Sequence, residues 1–214
     1  MSDDRAGRVR PVWSVSSPGA ATLDLWLWRH PRPRGVAGRC IGRTDVRVDP
    51  RRAKRLAHRI RAAQRRHGGP AEIWTSPLRR CADVAAWLAR WGWTVRTDAA
   101  LLELDFGAWD GRPWSAVPWS AVAAWEADFA GHAPGGGESL QAMALRLDGW
   151  VRSFAAAGTD GGARRWVVAH AGAMRLLQRR ADGLPATVER AADWPAPPRY
   201  ARLMRVPISG QPGT

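Results

Sequence analysis

The sequence predicts an α/β fold, a three-layer α/β/α sandwich around a mostly parallel central sheet. Three observations carry that prediction. Short apolar runs alternate with stretches of helical spacing along most of the 214 residues, and strands separated by helices form parallel sheets covered on both faces. With 45% hydrophobic residues the chain can bury a full core. Two apolar runs, 25–28 and 166–169, stop within two residues at a histidine, His30 and His170. Residues just past the carboxyl ends of such strands line the crevice in which these folds bind ligands.

Residues 1–21 are expected to form a flexible tail, 22–207 one domain and 208–214 a second tail. Residues 23–28 read as the first strand, followed by a loop rich in Pro, Gly and Arg over 31–48. Asp49 is a helix cap with Pro50 at the first helical position. Ala53, Leu56, Ala57, Ile60 and Ala63 mark the buried stripe of that helix, which Gly68-Gly69-Pro70 ends. Residues 71–75 are a short strand, Ser76-Pro77 opens a helix to Trp91 that stops at Gly92, and 93–97 is another strand. The apolar stretch 101–106 ends at Gly107, and Trp109-Asp110-Gly111-Arg112-Pro113 reads as loop. Val122, Trp125 and Phe129 give 115–129 helical spacing, with Pro118 limiting where the helix starts. Gly135-Gly136-Gly137 leads into a helix over 139–156. Residues 164–169 are a strand, 172–180 a helix, 193–198 a proline-rich loop and 200–206 the last strand. Of the 14 tryptophans, Trp74, Trp87, Trp125, Trp150 and Trp166 fit helix faces or strands, so core packing explains them better than base stacking.

The formal net charge is +14. Residues 1–67 carry +12 of it, nearly all arginine, with Lys54 the single lysine. Such a surplus attracts an anionic substrate or a phosphate backbone. Over 51–66, however, the arginines surround a regular apolar stripe, which is how a solvated helix face is built. Nucleic acid is therefore disfavoured as a partner. Cys40 and Cys81 form no CxxC pair, which argues against a disulfide scaffold or a structural zinc site. No apolar run is long enough to cross a bilayer, and residues 12–21 do not resemble a secretory signal, so a cytoplasmic protein without membrane contact is expected. The oligomeric state is left open.

Spacing excludes several chemistries. A cysteine phosphatase loop needs an arginine six positions after its cysteine, and those positions hold Val46 and Trp87. There is no GxSxG elbow and no GxxxxGK[ST] loop, and the triple glycine lacks GxGxxG spacing. What remains is Arg29-His30, Ser76-Pro77-Leu78-Arg79-Arg80, the segment from Glu103 through Asp105, Phe106 and Gly107 to Gly111, Pro134-Gly135-Gly136-Gly137-Glu138-Ser139, and His170-Ala171-Gly172. In order and spacing these strings resemble the histidine phosphatase superfamily, which has the phosphoglycerate mutase-like fold. That family carries an RHG motif after its first strand, an SPLxRxxxT-like helix start, an ExxFGxWEG loop, a PGGES segment and a VxHxG strand end. The resemblance covers roughly residues 23–180.

The resemblance implies a phosphomonoesterase that hydrolyses a small phosphorylated metabolite through a phosphohistidine. His30 is the implied nucleophile. Arg29 and Arg79 are forked phosphate ligands, His170 donates a further hydrogen bond, and Glu103 is general acid and then base. Asp105 competes for that last role, but position in the ExxFG pattern favours Glu103. Arg80, His58, His67 and His132 read as surface residues. Positioned cations stabilise the transferring group, so the scheme requires no metal and no cofactor.

One loop departs from the family pattern. In Arg29-His30-Pro31-Arg32-Pro33-Arg34, prolines occupy the glycine and threonine positions and offer neither N–H nor hydroxyl. Arg32 and Arg34 are candidate replacements by charge. Downstream, the segment from Gly38 through Cys40, Gly42 and Arg43 to Asp45 and Val46 is similar to the GxCYGRSD string of α-ribazole phosphatase-like members. That likeness implies α-ribazole 5′-phosphate as substrate, with Arg43 in contact with it. Two other readings stand beside this one. One is a catalytically silent member that binds phosphorylated ligands or nucleic acid through the arginine-rich N-terminal part, and the other is a phosphoglycerate mutase-type phosphotransferase.

Overall fold

A computed structural model describes residues 22–156, 164–185, 188 and 190–209; the expected tail at 1–21 lies outside the described residues. The five strands are β1 (Thr22–Arg29), β2 (Glu72–Thr75), β3 (Thr94–Thr97), β4 (Arg164–Ala169) and β5 (Leu203–Ser209). They form one sheet in the order β3-β2-β4-β1-β5. β1, β2, β3 and β4 pair in parallel, and β5 joins the edge of β1 antiparallel. The helices are α1 (Pro50–His67), α2 (Arg79–Ala89), α3 (Trp119–Ala127), α4 (Leu140–Ala156) and α5 (Ala171–Ala181).

Side-chain alternation splits the core into two layers. On β1, Leu25 and Leu27 face one side while Trp26 and Trp28 face the other; on β4, Val167 and Ala169 oppose Trp166 and Val168. The first face packs on α4 and α5, and the second on α1 and α2. This is the expected three-layer α/β/α arrangement. A smaller apolar cluster of Cys40, Trp109 and Val117 supports the loops above the sheet. Among the described residues no helix is long and apolar enough to cross a membrane.

Several boundaries differ from the sequence reading, each for a physical reason. α1 begins as expected, with Asp49 accepting from the Arg51 N–H and Pro50 in the first turn. α2 starts at Arg79 rather than Ser76, because Ser76 Oγ closes a local turn onto the Leu78 N–H and the Arg79 N–H is capped from afar by Asp45. Pro118 ends a single 3₁₀ turn over Trp114–Ala116 and caps α3, which is therefore shorter than 115–129. The last strand lies three residues later than expected and runs to Ser209, so Ile208 belongs to the core and not to a tail.

Candidate active site

Register brings the two strand-end histidines together. β1 and β4 are neighbours with Arg29 opposite Ala169, so the next residues, His30 and His170, emerge side by side at one edge of the sheet. Their rings are 5.2 Å apart between centroids, and the His30 N–H is bonded to the Ala169 carbonyl at 3.1 Å. Both side chains are buried, His30 at 5% exposure and His170 at 0%.

Hydrogen bonding assigns each ring a different proton. His30 Nδ1 lies 2.8 Å from the Pro31 carbonyl, which can only accept. Nδ1 is therefore the protonated nitrogen, and Nε2 keeps its lone pair. Proline at this position costs no function of the loop that depends on a carbonyl. For His170, Nδ1 is the acceptor, receiving Arg80 Nε at 3.1 Å, and Nε2 lies 3.5 Å from Cys81 Sγ. Burial, followed by the positive charge of Arg80, holds both imidazoles well below the usual histidine range, so both are neutral. Burial likewise pushes the Cys81 thiol up, which makes it an inert neighbour.

The arginines correct the sequence reading. Arg79 is exposed, and its backbone N–H donates to Asp45 at 2.7 Å. The buried cation is Arg80, at 1% exposure, which was expected on the surface. Its three nitrogens reach His170 Nδ1 at 3.1 Å, the Thr44 carbonyl at 2.8 Å and the Gly42 carbonyl at 2.5 Å. Two signals in the sequence point to it. In an SPLxR string the arginine is the fifth residue, and Arg80, Val84 and Leu88 share one buried face at helical spacing.

Arg29 is held by the Pro198 carbonyl at 2.5 Å, and its guanidinium lies 3.8 Å over the Tyr200 ring. Tyr200, expected at the start of the last strand, instead precedes β5 and lies 5.5 Å from the His30 ring as a wall residue.

Glu103 sits in a seat made by its neighbours. Its carboxylate accepts the Gly172 and Leu104 N–H groups, each at 3.2 Å. A Cβ at Gly172 would collide with Glu103 Oε1, so the glycine two residues past His170 makes room for the acid. Asp105 is committed elsewhere, accepting the Gly107 N–H at 2.8 Å and pairing with Arg43 at 3.3 Å. Arg43 also pairs with Glu138 at 3.3 Å. Arg146, unnoticed in the sequence, binds Glu138 through two nitrogens at 2.7 and 2.9 Å and the Glu103 carbonyl at 3.2 Å. Arg43 thus braces the backbone of Glu103, directly by donating from Nε to its carbonyl at 3.5 Å and indirectly through Glu138. Of the remaining expected residues, Arg32 is exposed in the loop that bridges Pro33 to Val48, and Arg34 pairs with Asp49 at 2.5 Å. The other histidines pack on tryptophans or stand apart from the site: His58 on Trp91 at 4.5 Å and His67 on Trp26 at 4.8 Å.

The loops are fixed by close backbone approaches. Gly135 and Gly137 lie against the carbonyls of Phe106 and Asp105, where any Cβ would clash. The triple glycine thus packs the 105–109 loop, and the Glu138 N–H closes onto the Asp105 carbonyl at 2.8 Å. Asp110 gathers the N–H groups of Gly42, Arg43 and Thr44 and the Thr44 hydroxyl. Burial would raise its carboxyl, but these bonds win and hold it below the usual carboxylate value. Among the described residues no group of three or more His, Cys, Asp or Glu side chains could hold a metal ion.

The chain belongs to the histidine phosphatase superfamily (branch 1), whose model matches residues 25–203. Among solved structures it is similar to a mycobacterial glucosyl-3-phosphoglycerate phosphatase, at 30% identity over 87% of this chain and 89% of that one, with a TM-score of 0.68. It is also similar to an α-ribazole phosphatase from Shigella flexneri, at 24% identity over 76% and 81% of the two chains with a TM-score of 0.62, a likeness of fold alone. The same holds for Bacillus stearothermophilus YhfR, at 20% identity over 86% and 90% with a TM-score of 0.69. A search of curated proteins found no match.

Proposed function

We propose that this protein is a phosphomonoesterase that works through phospho-His30. The observation that carries the reading is a buried neutral imidazole whose Nδ1 proton is tied to the Pro31 carbonyl, under the positive charge of both Arg80 and Arg29. Those cations draw in a phosphate dianion and oppose protonation of the nucleophile. Nε2 attacks phosphorus, forming the P–N bond as the ester P–O bond breaks, and Glu103 gives its proton to the leaving alkoxide. Water then attacks the phosphoryl group, Glu103 takes a proton from it, and the P–N bond breaks to restore His30. Arg29 and Arg80 hold the equatorial oxygens throughout. His170 orients Arg80 and lines the phosphate position. Each cation is supplied by the chain, so the scheme runs without a metal.

A small phosphorylated metabolite is the substrate class. The 38–46 string, similar to one in α-ribazole phosphatase-like members, makes α-ribazole 5′-phosphate the first compound to assay. The test is hydrolysis of p-nitrophenyl phosphate in EDTA, with trapping of an acid-labile, alkali-stable phosphoenzyme. Wild type should turn over and label, and His30→Ala should do neither. Undiminished turnover by His30→Ala would refute the mechanism. Absence of turnover with retained phosphate binding would instead mark a silent binding protein.

A further inference from the structure

A cavity of about 230 Å³ opens beside Glu103 and shares Glu103 and Gly172 with the site. Its wall is apolar, formed chiefly by Ile41, Phe106, Trp125, Phe129 and Trp194. Four of these are aromatic and run ring to ring, with Phe106 to Trp125 at 5.9 Å, Trp125 to Phe129 at 5.1 Å and Phe129 to Trp194 at 6.0 Å. Among the described residues Glu103 is the only charged side chain in the lining. Arg43, which braces the same loop, is paired with Asp105 and Glu138. The Trp125 indole N–H is buried and has no acceptor among the described residues.

The chemistry of this wall selects a ligand. A carboxylate or second phosphate there would meet Glu103 and no cation. The hydroxyls of a sugar or glycerol would lose water and gain almost no partner, a desolvation cost that apolar groups do not carry. A flat ring would bury its faces against tryptophan and phenylalanine. The volume is below the roughly 300–1,000 Å³ typical of drug-sized sites, which suits one ring or a fused pair.

Resting on the phosphatase reading, we propose that this cavity holds the leaving alcohol, and that the preferred substrates are phosphomonoesters whose alcohol carries an apolar ring and no second negative charge. An acceptor atom on the ring would satisfy the Trp125 N–H. Glu103, at the border of cavity and site, is then placed to protonate the oxygen that joins ring portion to phosphate.

The test compares 2-phenylethyl phosphate with glycerol 3-phosphate and 3-phosphoglycerate. All three are primary alkyl esters, so leaving-group acidity does not dominate the comparison. Wild-type kcat/KM should favour the phenylethyl ester by about 100-fold, the scale on which an apolar pocket discriminates. Trp125→Ala and, separately, Phe129→Leu should shrink that ratio about tenfold, and 2-phenylethanol should shift the tryptophan emission of wild type more than that of Trp125→Ala. Equal kcat/KM for the phenylethyl and glycerol esters in wild type would overturn the proposal while leaving the phosphatase reading intact. If neither ester is hydrolysed, turnover of p-nitrophenyl phosphate decides the phosphatase reading separately, and the same comparison made as ligand binding decides the cavity: preference for the phenylethyl ester supports it and parity overturns it.

Discussion

Replacing Arg80 by methionine separates function from folding at this site. Arg80 is 1% exposed and bonds two carbonyls and one imidazole nitrogen, with no carboxylate among those partners. Removing it orphans three buried acceptors, at about 1–3 kcal/mol each. It also removes a buried charge without a counter-ion, which costs the folded state several kcal/mol. The two offset, so Arg80→Met should change unfolding free energy by no more than about 3 kcal/mol in either direction. Activity has no such compensation. Loss of a preorganised donor to the transferring group should lower kcat by about 10²–10³-fold. Arg79→Ala should stay within about 0.5 kcal/mol of wild type in stability, as exposed positions do, and keep most of its activity. The assays are kcat/KM on p-nitrophenyl phosphate and the rise in Tm on adding vanadate. Vanadate at about 100 times Kd should stabilise wild type by about 2.7 kcal/mol, and Arg80→Met far less. If Arg79→Ala lost activity as deeply as Arg80→Met, or Arg80→Met kept it, the assignment of the buried cation as the phosphate ligand would be wrong.

Gly172→Ala should displace the Glu103 carboxylate, because the added Cβ meets Oε1, and lower kcat by about 10²-fold or more with a smaller effect on phosphate binding; a crystal structure of the variant with Glu103 unmoved would contradict this. The neutral histidines give a signed pH dependence. Their folded pKa values lie below the unfolded value near 6.5, so below that pH the unfolded chain takes up protons the folded one refuses. Stability should therefore fall as pH drops from about 6.5, by at most about 1.4 kcal/mol per pH unit for each histidine, and be indifferent to these groups above it. ¹⁵N NMR at pH 6 should show both rings neutral, with His30 protonated on Nδ1 and His170 on Nε2, and an imidazolium signal from either would refute the electrostatic account.

The sheet was legible because its signals are local. β4 matches the strand expected over 164–169 residue for residue, and the Asp49-Pro50 start of α1 is a signature of adjacent residues. Where distant residues decide, the reading slipped. α2 begins three residues late because its cap, Asp45, lies 34 positions upstream. β5 begins late because Tyr200 and Ala201 turn over the first motif, where the Ala201 N–H is bonded to the Arg29 carbonyl at 3.1 Å. Ala201 takes φ 55°, a left-handed conformation that alanine rarely adopts and that its identity therefore does not announce.

The site shows the same division. His30 and His170 were legible because strand register alone makes them neighbours. Glu103 was legible by its place in a string, but what fixes it is not: Gly172 from the far side of the sequence, and Arg146 and Arg43, which donate to the Glu103 carbonyl and pair with Glu138. This explains why a chain so rich in arginine is hard to read by composition. The guanidinium groups that matter here are distinguished by where they are desolvated, not by number. Arg80 is buried with no carboxylate partner among the described residues, a placement that folding does not favour and that an anionic ligand would relieve. Arg43 and Arg146, equally cationic, are neutralised by Glu138 and act as braces. An arginine buried with no carboxylate partner among the described residues, beside a neutral histidine, is the feature on which the proposed phosphate site rests.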